Sequence, residues 1–303
     1  MHRFFPTLLL LLASQIVLSQ YQIGLVPRVS PDKGVYQKIG YTEVNLRYGS
    51  PAVKNREIWG ALVPYNEVWR AGANNATTVA FSAKVTLQKT TLDSGKYALF
   101  IIPRAHKKWT VIFNRSHQQW GAFDYNKEED VVRMEVAPKK RTNKVENLNY
   151  SIRQVDYQHG SIVLQWAFYE IEIPFETDYI EQFKQEVEQR AAQQPAPIKW
   201  VVYLQGAAHL LQIQTHAPLA LSWINQGEKI MRATVAWNDQ YYPRDYIVGH
   251  LYWVKARLLA ENNRFQEAIN YVHDLKNLDN TLFYERNKDK ESIDLLLHQW
   301  KEK

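Results

Sequence analysis

Residues 95–113 read GKYALFIIPRAHKKWTVIF, which is two short apolar runs separated by a turn-rich connection. Both runs, Tyr97–Ile102 and Trp109–Phe113, are rich in the β-branched and aromatic residues that favour strands. Similar runs recur between Val35 and Pro174, around Val44, Leu46 and Tyr48, at Val131–Val136 and at Ile162–Phe168. About eight such runs with no helical period between them predict two packed antiparallel sheets, either a sandwich or a flattened barrel.

Two turn sequences are expected to join these strands. Asp93-Ser94-Gly95-Lys96 is predicted to close a hairpin, and His159-Gly160 is predicted to close another before the last long strand.

The hydrophobic period changes after Pro174. Tyr179, Phe183 and Val187 follow one another at four-residue spacing within a charged stretch, which predicts an amphipathic helix over residues 177–194. Pro195 and Pro197 are expected to end it, and a second helix is expected to begin near Ile198. The chain is therefore predicted to be a multidomain β plus α protein, with an all-β domain over residues 35–175 and a helical domain over residues 176–303.

The helical part contains a weak internal repeat with an offset of 48 residues. Leu204, Ala208, Leu211, Ala220 and Ile224 recur as Tyr252, Ala256, Leu259, Ala268 and Val272. This predicts two helix hairpins, the alanines lying where paired helices approach closely. The second, Tyr252–Leu275, resembles a tetratricopeptide repeat, although Leu275 and Asn280 depart from the usual small residue and proline. A concave surface for a protein partner is the expectation, and a plain helical bundle is the alternative.

The first 19 residues predict export. His2 and Arg3 precede an apolar run at Leu8–Leu12, and Ser19 supplies a small residue for cleavage before Gln20. The run is shorter than the roughly 18 residues of a membrane span, so no membrane span is expected after cleavage. A periplasmic or secreted protein is predicted, with residues 20–34 as a segment before the β domain.

Composition narrows the function classes. The 303 residues are 46% apolar and 22% charged, which is typical of a globular chain. The absence of cysteine excludes disulfides, a thiol nucleophile and a lipid anchor on cysteine. Loss of Arg3 leaves 36 basic against 31 acidic residues, a net charge of +5 instead of +6. This excess of positive charge is small. The one basic run, Lys139-Lys140-Arg141, is typical of a solvated loop, so no nucleic-acid partner is expected.

One segment carries a family resemblance. Residues 50–81 read SPAVKNREIWGALVPYNEVWRAGANNATTVAF, and GKYALF at 95–100, WTVIFN at 109–114 and QWGAF at 119–123 follow in order. Together they resemble a bacterial family known as domain of unknown function 2911. The resemblance covers the whole β domain and implies an exported protein, in many members with a helical-repeat tail, but it implies no activity. Members tend to carry arginine where this chain has Ser50; if that arginine serves a binding role, this chain is expected to lack part of it.

The segment between Ser50 and Thr77 shows little strand alternation and is predicted to be a structured loop, a common place for binding residues on a β scaffold. Guanidinium groups match carboxylate or phosphate geometry and indole faces stack on sugar rings, so a small anionic or glycan ligand is expected. The candidate ligand-binding residues are Lys54, Arg56, Trp59, Tyr65, Trp69, Arg70 and Asn74. Alternatively, Trp59 and Trp69 only cover the end of the sandwich. For Gln119-Trp120-Gly121 a tight hairpin with a packed indole is favoured over a second wall of the site.

No catalytic motif stands out. There is no Gly-x-Ser-x-Gly elbow and no phosphate-binding glycine loop, and the histidines lack zinc spacing, so neither a metal nor a cofactor is expected. Nominal glycosidase carboxylates are Asp124, Glu128, Glu129 and Asp130, but their charged surroundings favour a solvated turn.

Three function hypotheses remain. The leading one is an exported, non-catalytic binding module for a small polar or glycan ligand or a protein partner. A second is a hydrolase acting on envelope polysaccharide or another extracellular substrate, with Arg70, Tyr65 and a distant carboxylate as its polar groups. A third is a structural scaffold protein of the cell envelope.

Overall fold

The computed structural model describes residues 27–234, 244–277 and 290–303. It divides the chain into two compact units, Met1–Glu181 and Gln182–Lys303. The predicted signal peptide over residues 1–19 and the repeat position Asn280 lie outside the described residues.

The first unit is an antiparallel sandwich of ten strands in two sheets, so the prediction of a β-sandwich is confirmed. One sheet has six strands in the order β1-β2-β3-β6-β7-β8, and the other has four in the order β5-β4-β10-β9. The strands are β1 Asp32–Ile39, β2 Thr42–Gly49, β3 Ala73–Phe81, β4 Val85–Leu87, β5 Thr90–Leu92, β6 Gly95–Ile102, β7 Trp109–Asn114, β8 Asp130–Val136, β9 Lys139–Gln154 and β10 His159–Thr177.

Side chains of β2 alternate between the core and solvent, whereas those of β6 and β7 do not. In β2 the side chains of Val44, Leu46 and Tyr48 face the core while the intervening residues are exposed. In contrast, β6 is buried from Tyr97 to Ile102, and every residue of β7 is buried. A strand without alternation must be covered on both faces. Part of the outer face of the six-stranded sheet is therefore covered by another segment of the same chain.

One of the two predicted hairpins is wrong, and the other forms with its turn at residues 155–158, just before His159-Gly160. The chain at Asp93-Ser94 leads from β5 in the four-stranded sheet to β6 in the six-stranded sheet, so it crosses between sheets instead of closing a hairpin. Turn residues specify a reversal of direction but not the pairing partner. The β9–β10 hairpin does form, and Asp156 Oδ1 accepts hydrogen bonds from the backbone N–H of Gln158 and of His159, both at 2.7 Å.

The helices follow the strands, as predicted. They are α1 Tyr179–Gln193, α2 Ala196–Gln212, α3 Ala217–Thr234, α4 Arg244–Glu261, α5 Phe265–Asn277 and α6 Lys290–Lys301. α2 begins at Ala196, two residues before Ile198, because Pro195 is its N-cap and Pro197 lies in the first turn, where a missing N–H loses no bond. None of the described helices combines the length and apolar character needed to cross a membrane.

The pairs α2/α3 and α4/α5 pack against each other as helix hairpins, in agreement with the 48-residue offset. Ala256 and Ala268 are fully buried, but Ala208 is only half-buried. Glycines make the closest approach in the first pair. A Cβ on Gly206 would come within 3.1 Å of Trp223, and one on Gly227 within 3.2 Å of the Trp200 carbonyl oxygen. The tetratricopeptide assignment itself stays a prediction.

A buried ionic cluster joins three of these helices. The Glu228 carboxylate on α3 accepts hydrogen bonds from Lys255 on α4, Tyr271 on α5 and Arg232. Burial opposes ionisation of Glu228, but the hydrogen bonds from Lys255 and Arg232 outweigh it and lower the pKa of the carboxyl. Nothing in the sequence pattern pointed to this cluster.

The close contact between β2 and β3 gives a stability prediction. A Cβ on Gly49 would lie 2.2 Å from the carbonyl oxygen of Ala73, whereas one on Gly34 would have its nearest neighbour at 3.7 Å. We expect Gly49→Ala to lower the free energy of unfolding by about 1–3 kcal/mol, because backbone must move to admit the methyl group. Gly34→Ala is the matched control, with a change of at most about 0.5 kcal/mol. Urea denaturation measures both, and equal stabilities would contradict the close approach.

Candidate functional site

A long open groove lies on the outer face of the six-stranded sheet and has a volume of about 880 Å³. We call it the outer-face groove. Strands β1, β2, β3 and β6 and the 117–120 segment contribute its lining. The charged and aromatic lining residues are Arg28, Asp32, Lys33, Tyr36, Arg47, Lys96, His117 and Trp120, and the polar ones include Asn45, Asn75, Thr78, Gln118 and Gln119.

Strand register places the floor of the groove. Arg47 of β2 pairs with Gly34 of β1 on one side and with Thr78 of β3 on the other. Directly paired residues have Cβ atoms about 5 Å apart on the same face. Since Gly34 has no side chain, the floor beside Arg47 is left open. Two residues along the strands, Tyr36 of β1 pairs with Asn45 of β2, and both side chains lie on the same face of the sheet as Arg47.

The 115–125 segment forms the wall of the groove and explains why β6 and β7 are buried on both faces. Phe100 and Ile112, on the outer face of these strands, form a small apolar cluster with Ala122 and Tyr125 of the segment. The rings of Phe100 and Tyr125 meet edge to face with centroids 5.1 Å apart. The covered area ends at Gln119 and Trp120, where the groove begins.

Asp130 holds this wall in place. Its carboxylate accepts hydrogen bonds from Asn114 Nδ2 at 2.8 Å, Tyr125 Oη at 2.6 Å and Arg133 Nη1 at 2.6 Å. Burial, followed by the hydrogen bond to Asp130, raises the pKa of Tyr125 to about 12. The Asp130 side chain is only 5% exposed, so the expectation of a solvated turn is wrong for this residue.

The wall is also tied directly to the edge of β3. The Ala76 N–H donates to the Gln119 carbonyl at 3.0 Å, and the Gly121 N–H donates to the Asn74 carbonyl at 3.0 Å. Gly121 has a φ of +69°, which favours glycine at this turn. These bonds fix Trp120 beside the groove, where its side chain is 50% exposed. The expectation of a packed indole is therefore wrong.

The groove carries a positive charge. Four cations line it, and the single acidic residue in its lining, Asp32, lies 3.4 Å from one of them, Arg28. Within the described part of the chain, the exposed outer-face side chains of Arg47 and Lys96 form no hydrogen bond or ion pair. They leave an uncompensated positive potential over the floor.

Two exposed aromatic rings flank these cations. Tyr36 is 57% exposed, and the Arg28 guanidinium lies 5.4 Å from the centroid of the Trp120 ring. Gln119, which also lines the groove, is 93% buried and its Oε1 has no hydrogen-bond partner.

The sequence-predicted site residues lie elsewhere, and the two tryptophans are core residues. Trp59 and Trp69 are 7% and 8% exposed. The ring centroid of Trp59 lies 4.5 Å from that of Trp109, 5.5 Å from Trp69 and 5.8 Å from Trp166. This packing agrees with the alternative that these indoles cover the sandwich.

The predicted polar residues are mostly engaged with the backbone. Arg56 donates to the carbonyls of Ala52 and Val53 at 2.6 and 3.1 Å. Asn74 Nδ2 donates to the Ser30 carbonyl at 2.9 Å. The Lys54 N–H donates to Glu146 at 2.8 Å, and its side chain is exposed.

Arg70 differs, because its Nε is buried without an acceptor and burial lowers the pKa of its guanidinium. Ser50, which stands where family members tend to carry arginine, is buried and donates to the Leu148 carbonyl at 2.7 Å.

The structure places the seven predicted ligand-binding residues in different parts of the β domain. Arg56, Trp59 and Tyr65 line a second, smaller pocket, whereas Lys54, Trp69, Arg70 and Asn74 line neither that pocket nor the groove. Ligand binding by the set stays a prediction. The groove residues Tyr36, Arg47, Lys96 and Trp120 were missed, although Arg47 is an outward position of the alternating strand that identified Val44, Leu46 and Tyr48 as core.

Comparison with known proteins identifies the β domain. Residues 30–175 match the family described as Protein of unknown function (DUF2911). Over its β domain the chain is similar to this family. The match runs from just before β1 to Phe175 in β10, so the DUF2911 region coincides with the sandwich and leaves the helical unit outside. No curated protein and no solved structure matches the chain significantly.

In the described ranges, no group of three or more His, Asp or Glu side chains is placed to hold a metal ion.

The role of Asp130 is testable with a neighbour of the same type. We expect Asp130→Ala to lower the free energy of unfolding by about 1–3 kcal/mol, because three donors lose a shared acceptor. Asp124→Ala, at an exposed position in the same segment, should change it by at most about 0.5 kcal/mol. Urea denaturation distinguishes the two, and a stable Asp130→Ala variant would show that the wall does not depend on this carboxylate.

Proposed function

We propose that the β domain is a non-catalytic binding module that takes an acidic glycan in the outer-face groove. The observation that carries the proposal is the pair of exposed outer-face cations without counter-ions, Arg47 and Lys96, flanked by the half-exposed rings of Tyr36 and Trp120.

The lining chemistry suits an acidic sugar better than an isolated anion. Cationic side chains pair with carboxylate or sulfate groups, and aromatic faces pack on the apolar faces of sugar rings. The amide groups of Asn45, Asn75 and Gln118 supply donors and acceptors for hydroxyl groups. A volume of about 880 Å³ in an open groove admits several sugar units.

A hydrolase receives no comparable support. Glycoside hydrolysis normally needs two carboxyl groups on either side of the scissile bond. The described lining of the groove provides Asp32 alone, and Asp32 is paired with Arg28. The arrangement favours holding a ligand over cleaving it.

Export and partner binding belong to the same proposal. The N-terminal sequence and the family resemblance support a periplasmic or secreted location, where acidic polysaccharides are available as ligands. Binding of a protein partner by the helical unit, and a scaffold role in the envelope, stay predictions, since no observation on the helices favours one partner.

Charge removal tests the proposal. Isothermal titration of the full chain with a uronic-acid oligomer should detect binding that weakens as salt is raised, because exposed charges are screened. The double variant Arg47→Gln/Lys96→Gln should bind about tenfold more weakly, since two exposed charge contacts contribute about 0.7 kcal/mol each. Gly34→Leu keeps every charge but fills the floor and should also weaken binding.

The matched control is Lys84→Gln/Lys89→Gln, which removes the same charge from exposed positions outside the groove. It should bind like the unmodified chain. If both double variants lost affinity equally, the loss would come from the change in net charge and not from the groove residues. Equal binding of a neutral glucose oligomer or of a glutamate peptide would contradict recognition of an acidic glycan.

A further inference from the structure

The second pocket of the β domain has a volume of about 550 Å³ and shares no lining residue with the outer-face groove. It lies between the irregular 53–65 segment and the β9–β10 hairpin. We call it the Trp59 pocket. Its size is within the range of small-molecule sites, so it is a candidate for a ligand separate from the glycan.

The floor of the pocket is apolar and rigid. Trp59 and Tyr169 meet edge to face with centroids 6.2 Å apart, and Tyr65 also lines the pocket. Trp59 is held from behind by Trp109 and Trp166. Phe168, at the pocket, is 45% exposed. Large fixed aromatic surfaces of this kind suit a flat apolar ligand body.

The backbone around the pocket is strained. Ala167 has a φ of +51° in the middle of β10, between two register shifts of its pairing with β9. Asn55, on the other side, has a φ of +57°. Residues with a Cβ adopt this region at a cost, and such outliers cluster at binding sites. Bulges of this type redirect side chains, here Phe168 and Tyr169.

One unmatched hydrogen-bond donor and two cations held by neighbouring groups complete the pocket. The Trp59 indole is 93% buried, and its Nε1 has no acceptor. Arg56 is fixed by two backbone carbonyls, and Lys144 lines the pocket with its Nζ 2.8 Å from Glu146. Glu57 is the one acid in the lining, but Glu146 already pairs with Lys144, so a ligand carboxylate competes with Glu146 for this lysine.

We infer that the Trp59 pocket is a second ligand site, which takes a small molecule with a flat apolar body and one carboxylate. The aromatic floor binds the body, and the carboxylate pairs with Lys144 and Arg56. The inference stands independently of the glycan proposal, because the two sites have no residue in common.

The test uses the full chain with 3-phenylpropionate and its uncharged amide as probes, followed by isothermal titration and saturation-transfer NMR. The acid should bind with a Kd of about 1 mM or lower, which is what a ligand of this size achieves, and the amide about fivefold more weakly. Phe168→Ala should weaken both probes, whereas Lys144→Gln should weaken the acid alone.

Lys140→Gln is the matched control, because Lys140 is exposed on the same strand and does not line the pocket. It should bind both probes normally, as should the groove variant Arg47→Gln/Lys96→Gln. Three results would overturn the inference: no binding of the acid at 10-fold above the expected Kd of about 1 mM, equal affinity for acid and amide, or normal binding by Phe168→Ala.

Discussion

The burial of Trp59 among three other indoles is the constraint on which the β domain depends. Trp59 belongs to a segment without regular strands, yet its ring packs against Trp69, Trp109 and Trp166 inside the sandwich. Aromatic pairs of this kind combine a large buried area with a preferred geometry. The irregular segment is therefore fixed to the end of the sandwich instead of behaving as a free loop.

Local bonds extend this constraint into the strands. Trp69 pairs with Ile101 by reciprocal backbone hydrogen bonds of 2.8 and 2.9 Å. Ala71, which has a φ of +53°, is held through its carbonyl by Tyr150 Oη at 2.8 Å and Thr77 Oγ1 at 3.0 Å. The chain then enters β3, which supplies Asn75 and Thr78 to the outer-face groove. The same anchored segment lines the Trp59 pocket, so one packing cluster positions both candidate sites.

Much of the fold could be predicted from local pattern. Alternation in β2 and the four-residue spacing in α1 reflect burial of one face, and the continuous apolar runs of β6 and β7 reflect burial of both faces; local sequence records each of these patterns directly. Pairing between sheets is a long-range property, so Asp93-Ser94 was assigned to a hairpin that does not form. The groove was missed for a related reason: Tyr36, Arg47 and Lys96 come together only through strand register, and Trp120 is exposed only because Asp130 fixes the segment that carries it.

We propose that an acidic glycan binds to the outer face of the β1–β3 strands and not to the 50–74 segment. Backbone amide chemical-shift mapping of the full chain during titration with a uronic-acid oligomer tests it most directly. We expect shifts concentrated at Gly34–Tyr36, Asn45–Tyr48 and His117–Trp120. Shifts confined to residues 53–65 and 167–169, or no saturable shifts, would contradict it.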